Sequence, residues 1–486
     1  MPAGAIEPLT ADFIAFHAAE RPGALALVNN GRRITYAEFD RDVRKFSHAV
    51  RKFGLPRGGS VAVGCNDFYL HWLLLLAFEH LGIATASFLS STQMDAPLLT
   101  VVDLVLAEPH FPVASTKPHR RITGQWLQDI LASADADEGP AVSRGPDDPI
   151  RILQTSGTTG VSKRLLVSRQ MHEARVSQNA FKYQLARESR YLVTMHFNVG
   201  VVYSCATACA RLGATVVSDA FKNTTEVAGA LSAHAITHVT LLPIQLQQIL
   251  DDLPPDFEKP LALTIFTLGA AVSEPLRQKT LARLASGLCS GYGCNEVGII
   301  SFTCGMHDEG YESICPGVEI ETVDGGGRRV PRGQMGEIRV KTACMADGYF
   351  HDPEATRRMF KDGWFHPGDM GILHGPRQLQ VIGRGDELLN IGGNKFSPSA
   401  LEALILSDAA VGDVGVTSVR NSEGIEEVHV AVVGATGDDA ELLARISEAL
   451  RHLQLGKFHV ARLSVIPRNA AGKIRRDLLR SAVGAA

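Results

Sequence analysis

The sequence predicts an α/β protein with a large N-terminal domain of parallel-type β-sheets covered by helices, a small β subdomain, and a small α+β C-terminal domain. Three observations lead there. The chain has 486 residues, more than one hydrophobic core absorbs. Strand-like and helix-like segments alternate through the first two thirds, as parallel sheets with helical crossovers require. After Arg384 the pattern changes to a short helix, two strands around a turn, a helix and a strand, a domain-sized unit in itself. The expected domains are 1–384 and 385–486.

In chain order, Ala11–Glu20 reads as a helix and Leu25–Ile34 as a strand pair. Thr35-Tyr36-Ala37-Glu38 has capping-box form, and Phe39, Val43, Phe46 and Val50 then recur at helical spacing. Ser60–Gly64 is strand-like. The apolar run Trp72–Phe78 is far too short to span a bilayer and reads as a buried helix. Alternation resumes over Tyr191–Asp219 and His238–Leu268. The polar, proline-bearing stretch Ala132–Pro149 is a surface connection to a strand at Ile150–Gln154. A second strand is expected at Lys163–Val167. In the C-terminal part we expect a helix at Pro398–Leu406, strands at Val411–Val419 and Glu427–Val433, a helix at Asp439–Leu453 and a last strand at Ala461–Ile466.

Apolar residues make up 45% and charged residues 21% of the chain, with a formal net charge of −4, so a nucleic-acid partner is not expected. No membrane span is expected. The first residues have no basic start followed by an apolar run, which points to a cytoplasmic protein. The 8 cysteines form no CxxC pair and are too few for a disulfide scaffold. Cys205 and Cys209, one helical turn apart, read as core thiols.

The segment Thr155-Ser156-Gly157-Thr158-Thr159-Gly160, with Lys163 close behind, combines hydroxyls, permissive glycines and backbone amides able to form an anion nest. It is not a Walker loop. Five places after Gly157 stands Ser162, where that loop needs glycine. This spacing argues against a kinase or P-loop ATPase.

Four further motifs follow: G-Y-G-C-N-E (Gly291–Glu296), G-W-F-H-P-G-D (Gly363–Asp369), G-R-G-D-E-L-L-N-I-G-G (Gly383–Gly393) and P-R-N-A-A-G-K-I-R-R (Pro467–Arg476). In this order the set resembles the adenylate-forming superfamily of acyl-CoA synthetases, adenylation domains and firefly-type luciferases, from about Ala18 to Leu479. The resemblance implies ATP-driven conversion of a carboxylic acid to an acyl-adenylate with loss of pyrophosphate, then transfer of the acyl group to a thiol. Its cofactors would be ATP, Mg²⁺ and coenzyme A.

Carried over residue by residue, the resemblance implies that the loop Thr155–Lys163 holds the β- and γ-phosphates and that Glu296 holds Mg²⁺. Tyr292 and Gly269-Ala270-Ala271 would border the adenine. Asp369 would accept the ribose hydroxyls, since two carboxylate oxygens suit a vicinal diol, and Arg384 would reach the ribose or phosphate. Lys473 would bridge the substrate carboxylate and the α-phosphate. Asp386 matches the hinge position, and Gly392 and Gly393 would flank the pantetheine tunnel. Phe197 falls at an aromatic or histidine gate near the reacting carboxylate. Gly293 falls where acetate-specific relatives carry tryptophan, so the acyl group should be larger than acetyl or propionyl. Val199, Val201, Tyr203 and Leu242 are further lining candidates.

The sequence departs from the family pattern at several places. Asn295 stands for a threonine, Ser162 and Arg164 for a proline and a glycine, and Pro367 for a threonine. An amide donor at Asn295 would then replace a hydroxyl on phosphate. The reading is a ligase, monomeric or homodimeric, joining a medium-chain or aromatic acid to CoA. The alternatives are a stand-alone adenylating enzyme serving a carrier protein or an amine, and a weakened, non-catalytic family member.

Overall fold

The computed structural model describes residues 8–89, 96–111, 117–134, 145–155, 163–221, 223–269, 272–304, 311–391, 394–407, 411–421, 426–450, 453, 455, 457–469 and 472–484. Two sheets form the large N-terminal domain. One has six strands, in the order His119–Arg121, Leu104–Ala107, Ser60–Gly64, Ala84–Ser87, Pro149–Thr155 and Lys163–Ser168. The first five run parallel, and the sixth turns back antiparallel with Thr155 opposite Lys163. The other sheet has fifteen strands. Its centre is parallel: Leu25–Asn29, Thr215–Ser218, Arg190–Val193, His238–Leu241, Thr264–Thr267 and Gly287–Cys294 lie side by side.

Parallel strands covered on both faces are apolar throughout, which is why Ser60–Gly64 and Ala84–Ser87 are buried at every position. The helix Phe68–His80 is buried nearly all round, as its lack of a polar face requires. Tyr36–Arg51 starts at the expected cap. Thr35 accepts from the Glu38 amide while Glu38 accepts from the Thr35 amide at 2.8 Å.

Beyond Gly287–Cys294 the large sheet continues antiparallel through Gly298–Cys304 and Glu312–Ile314 to Gln378–Arg384 and Asp369–Gly375. This is the small β subdomain, and it shares one hydrogen-bonded sheet with the parallel core. Cys289 stands directly across from Cys304, and the two form a disulfide; the other six cysteines are free, so the sulfur pattern is no disulfide scaffold, as expected. Hairpin register, which spacing alone does not give, brings them together. Cys205 and Cys209 are buried core thiols as expected.

The small C-terminal domain is a three-stranded sheet of Asp413–Arg420, Glu426–Val433 and Phe458–Arg462. Leu401, Ile405, Leu442 and Ile446 pack with Val414, Val416, Val428 and Val430, while Leu479 and Val483 pack with Ala431 and Ile466. All members of these two cores lie between residues 389 and 483. The last strand lies earlier than Ala461–Ile466, because Phe458–Arg462 pairs in parallel with Val428–Val432. Ile466 instead tucks under the terminal helix. The helix expected to reach Leu453 is described to Leu450. Among the described residues no helix is long and apolar enough to cross a membrane.

Candidate active site

Two groups of side chains converge near the mouth of the hairpin Pro149–Thr155/Lys163–Ser168. Ser156, Gly157, Thr158, Thr159 and Gly160, between those strands, lie outside the described residues, as do Ser162, Ala270, Ala271, Gly392 and Gly393. The hairpin register brings Thr155 and Lys163 together at its mouth.

The first group surrounds Lys163. Its ammonium lies 4.6 Å from the centre of the Tyr349 ring, and the Tyr349 hydroxyl donates to Glu296 Oε1 at 2.8 Å. Glu296 is only 8% exposed. Burial pulls the Lys163 pKa down, Arg358 acts the same way, and the Glu296 carboxylate opposes both. A cation, a phenol and a carboxylate thus share one corner.

The second group surrounds Asp369, at the start of strand Asp369–Gly375. Its Oδ2 accepts from the Tyr292 hydroxyl at 2.6 Å, and its Oδ1 lies 3.8 Å from Arg384 Nε. Arg384 also donates to the Pro367 carbonyl at 2.6 Å and meets Asp386 at 3.4 Å. Burial pushes the Asp369 pKa up, against which the Tyr292 hydroxyl, Arg384 and Lys473 all act. Lys473, exposed on the C-terminal domain, thus acts on the same carboxylate through its charge. Its loop touches the large domain, since a Cβ on Gly472 would sit 3.5 Å from Ile244 Cγ2.

Between the groups runs the turn carrying Asn295. Its Nδ2 donates to the Gln154 carbonyl at 2.9 Å, so an amide proton read from sequence as a phosphate donor ties the turn to the hairpin strand. From behind, Arg175 donates to the Asn295 and Cys344 carbonyls at 2.6 and 3.0 Å. Gly293 admits no side chain, because a Cβ would collide with the Gly298 carbonyl. Gly269 has φ of +89°, a conformation glycine tolerates.

Phe197 is 0% exposed and stacks on Phe68 with ring centres 4.4 Å apart. Its ring belongs to the buried core, with His71, Trp72 and Tyr203 as further ring neighbours. Beneath it the fully buried Arg151 donates to the Phe197 carbonyl at 2.9 Å and lies 4.5 Å from the Tyr203 ring. Tyr203 in turn donates to Glu79 at 2.9 Å, so its phenol belongs to a buried ion network.

Tyr349 and Arg175 were not singled out from the sequence. A tyrosine in D-G-Y-F and an arginine in the middle of helix Arg169–Lys182 look like ordinary packing and an ordinary polar face. Only the fold brings them to Glu296 and Asn295. The one cluster of His, Cys, Asp or Glu close enough to share a metal among the described residues is Glu427, His429 and His459, on the C-terminal sheet. Glu296 fits a Mg²⁺ site of a different kind, in which one carboxylate supplements phosphate oxygens and water.

The family model described as AMP-binding enzyme matches residues 14–350. The chain belongs to the AMP-binding enzyme family. Among curated proteins it is 27% identical to 4-coumarate–CoA ligase-like 9 of Oryza sativa subsp. japonica, covering 95% of this chain and 90% of that protein. It is also 27% identical to the indoleacetate–CoA ligase of Aromatoleum aromaticum, over 97% and 98% of the two chains. Among solved structures, ATP-bound MatB from Rhodopseudomonas palustris superposes with a TM-score of 0.84 at 21% identity, covering 98% of this chain and 99% of that one. This last likeness concerns the fold. In this AMP-binding enzyme the two side-chain groups therefore lie in a fold shared over nearly the whole length.

Proposed function

We propose that the protein is an AMP-forming carboxylate:CoA ligase acting on a medium-chain or aromatic acid, with domains 1–384 and 385–486. One observation supports the reading: Lys473 of the C-terminal domain acts electrostatically on Asp369, which itself meets Tyr292 and Arg384 of the large domain, while Lys163, Tyr349 and Glu296 stand at the hairpin mouth. Cations from two sides suit a reaction in which one anion attacks another, where positioning and charge neutralisation supply most of the catalysis.

In the first step a substrate carboxylate oxygen bonds to the α-phosphorus of ATP and the bond to the β-phosphate bridging oxygen breaks, releasing pyrophosphate. Asp369 receives the ribose hydroxyls, with Tyr292 bordering the base. Arg384 and Lys473 offset charge at the sugar and the reacting phosphate. Lys163 and the loop Thr155–Gly160 receive the leaving pyrophosphate. Glu296 holds Mg²⁺, which neutralises phosphate charge when bound. In the second step the CoA thiol gives up its proton to solvent, its sulfur bonds to the acyl carbon, and the bond from that carbon to the phosphate oxygen breaks as AMP leaves. Gly392 and Gly393 border the approach of the thiol arm, and Asp386 is the hinge between the two poses. The CoA-ligase relatives support a thiol acceptor.

Acid-dependent exchange of labelled pyrophosphate into ATP, without CoA, tests the first step. Exchange with at least one medium-chain or aromatic acid is expected, and none with any acid would exclude adenylation.

The Asp369 environment gives a pH prediction. Asp369 binds the diol as a carboxylate, and burial raises its pKa while the Tyr292 hydroxyl lowers it. Removing that donor in Tyr292→Phe lets the pKa rise further. The acid limb of kcat/KM for ATP is expected at higher pH in the variant than in wild type. An unmoved limb in a pH–rate profile would disconnect Tyr292 from Asp369 function.

A further inference from the structure

Lys182 ends the helix Arg169–Lys182 and is 6% exposed. Its ammonium occupies the space that a side chain on Gly291 would fill, since a Cβ built there would overlap Nζ. Gly291 immediately precedes Tyr292 and Gly293, so this ammonium lies against the strand that borders the site. Two residues of strand separate Gly291 from Gly293, a rise of ~7 Å. That places the ammonium at the Gly291 end of the strand that carries Tyr292.

Among the described residues Lys182 has neither a hydrogen bond nor an ion pair. Its neighbours are the rings of Tyr183 and Phe302, with centres 5.6 and 5.9 Å away. The nearby thiols offer no counter-charge: burial pushes Cys205 up to about 12 and Cys315 up to about 11. Glu312 acts on Lys182 electrostatically from beyond ion-pair reach, and its Oε2 accepts from the Ser301 hydroxyl at 2.6 Å. Taking an ammonium out of water without a partner is costly. An anion arriving through the acyl site would offset that cost, whereas a methyl-ended acid would leave it in place.

We infer that Lys182 binds a second carboxylate at the far end of the acyl substrate, so that the acid activated is a dicarboxylic acid. The spacer has the size of an aromatic ring or a chain of a few carbons. This inference rests on the ligase reading above. A charge-assisted bond to a buried partner is worth about 2 kcal/mol, or about 30-fold in kcat/KM.

The test compares matched acids by pyrophosphate exchange: terephthalate against 4-methylbenzoate, and adipate against hexanoate. Wild type is expected to favour the diacid of at least one pair by about 30-fold, and Lys182→Met to abolish or reverse that preference. Preference for the methyl-ended acid in both pairs by wild type overturns the inference without any variant, so it stays testable even if Lys182→Met fails to fold. An unchanged diacid ratio in folded Lys182→Met overturns it as well. Exchange with monoacids alone leaves the ligase reading standing while removing the dicarboxylate. Exchange with no acid removes both.

Discussion

Lys473→Ala is expected to lower acid-dependent pyrophosphate exchange by about 10³-fold, the effect of removing one preorganised charge from a site of developing charge. Conversion of a synthetic acyl-adenylate and CoA to thioester should stay within a few-fold of wild type. The geometry favours so selective a loss. The Asn469 side chain accepts from the Lys473 amide at 3.0 Å, and the Asn469 amide donates to the Lys473 carbonyl at 2.8 Å. Arg475 donates to the Pro467 carbonyl at 2.8 Å, so the backbone that presents the lysine is braced without its ammonium. Alanine therefore removes charge and leaves the loop intact. Single-turnover measurement of each half-reaction checks this. Equal loss in both would mean that Lys473 supports the domain and does not act on the α-phosphate.

Asp386→Pro should cost on the order of 10² in overall turnover, the population ratio that ~2.7 kcal/mol of bias between two poses produces. The side chain of Asp386 is 69% exposed and, among the described residues, meets only Arg384 across 3.4 Å. Little packing is lost on substitution. The turn around it is held by the Gly385 amide on the Gly368 carbonyl at 2.8 Å and the Glu387 amide on the Arg384 carbonyl at 3.2 Å. Proline fixes φ near −65° at a position expected to absorb the rotation between poses. One half-reaction should survive and the other fall with overall turnover. If both half-reactions and the full cycle run at wild-type rates, the hinge lies elsewhere.

The parts of the fold legible in the sequence are those governed by local rules. The capping box at Thr35, the helical recurrence of Phe39, Val43, Phe46 and Val50, and the apolar strand Ser60–Gly64 each carry their own signal, and each is found where expected. Parallel sheets followed from the alternation of such elements. Contacts fixed by the closing of distant elements were not legible. Arg175 reaches Asn295 and Lys182 reaches Gly291 because the helix Arg169–Lys182 packs behind the turn Gly291–Glu296, and Tyr349 reaches Glu296 from a segment that bridges to Leu165 of the hairpin. Cys289 and Cys304 meet through hairpin register. The last strand was misplaced because F-H-V-A-R has weak alternation, while Leu463 to Ile466 looks more apolar yet leaves Val465 exposed. Asn295 was read by its donor chemistry, and the fold turned that donor toward Gln154.

If one site makes an acyl-adenylate and passes the acyl group to a thiol, a product balance with ATP, Mg²⁺, CoA and the acid that supports the fastest exchange shows it most directly. AMP, pyrophosphate and lost thiol should appear in equal amounts, and none without the acid. ADP in place of AMP, or AMP formed with the thiol left untouched, would contradict it.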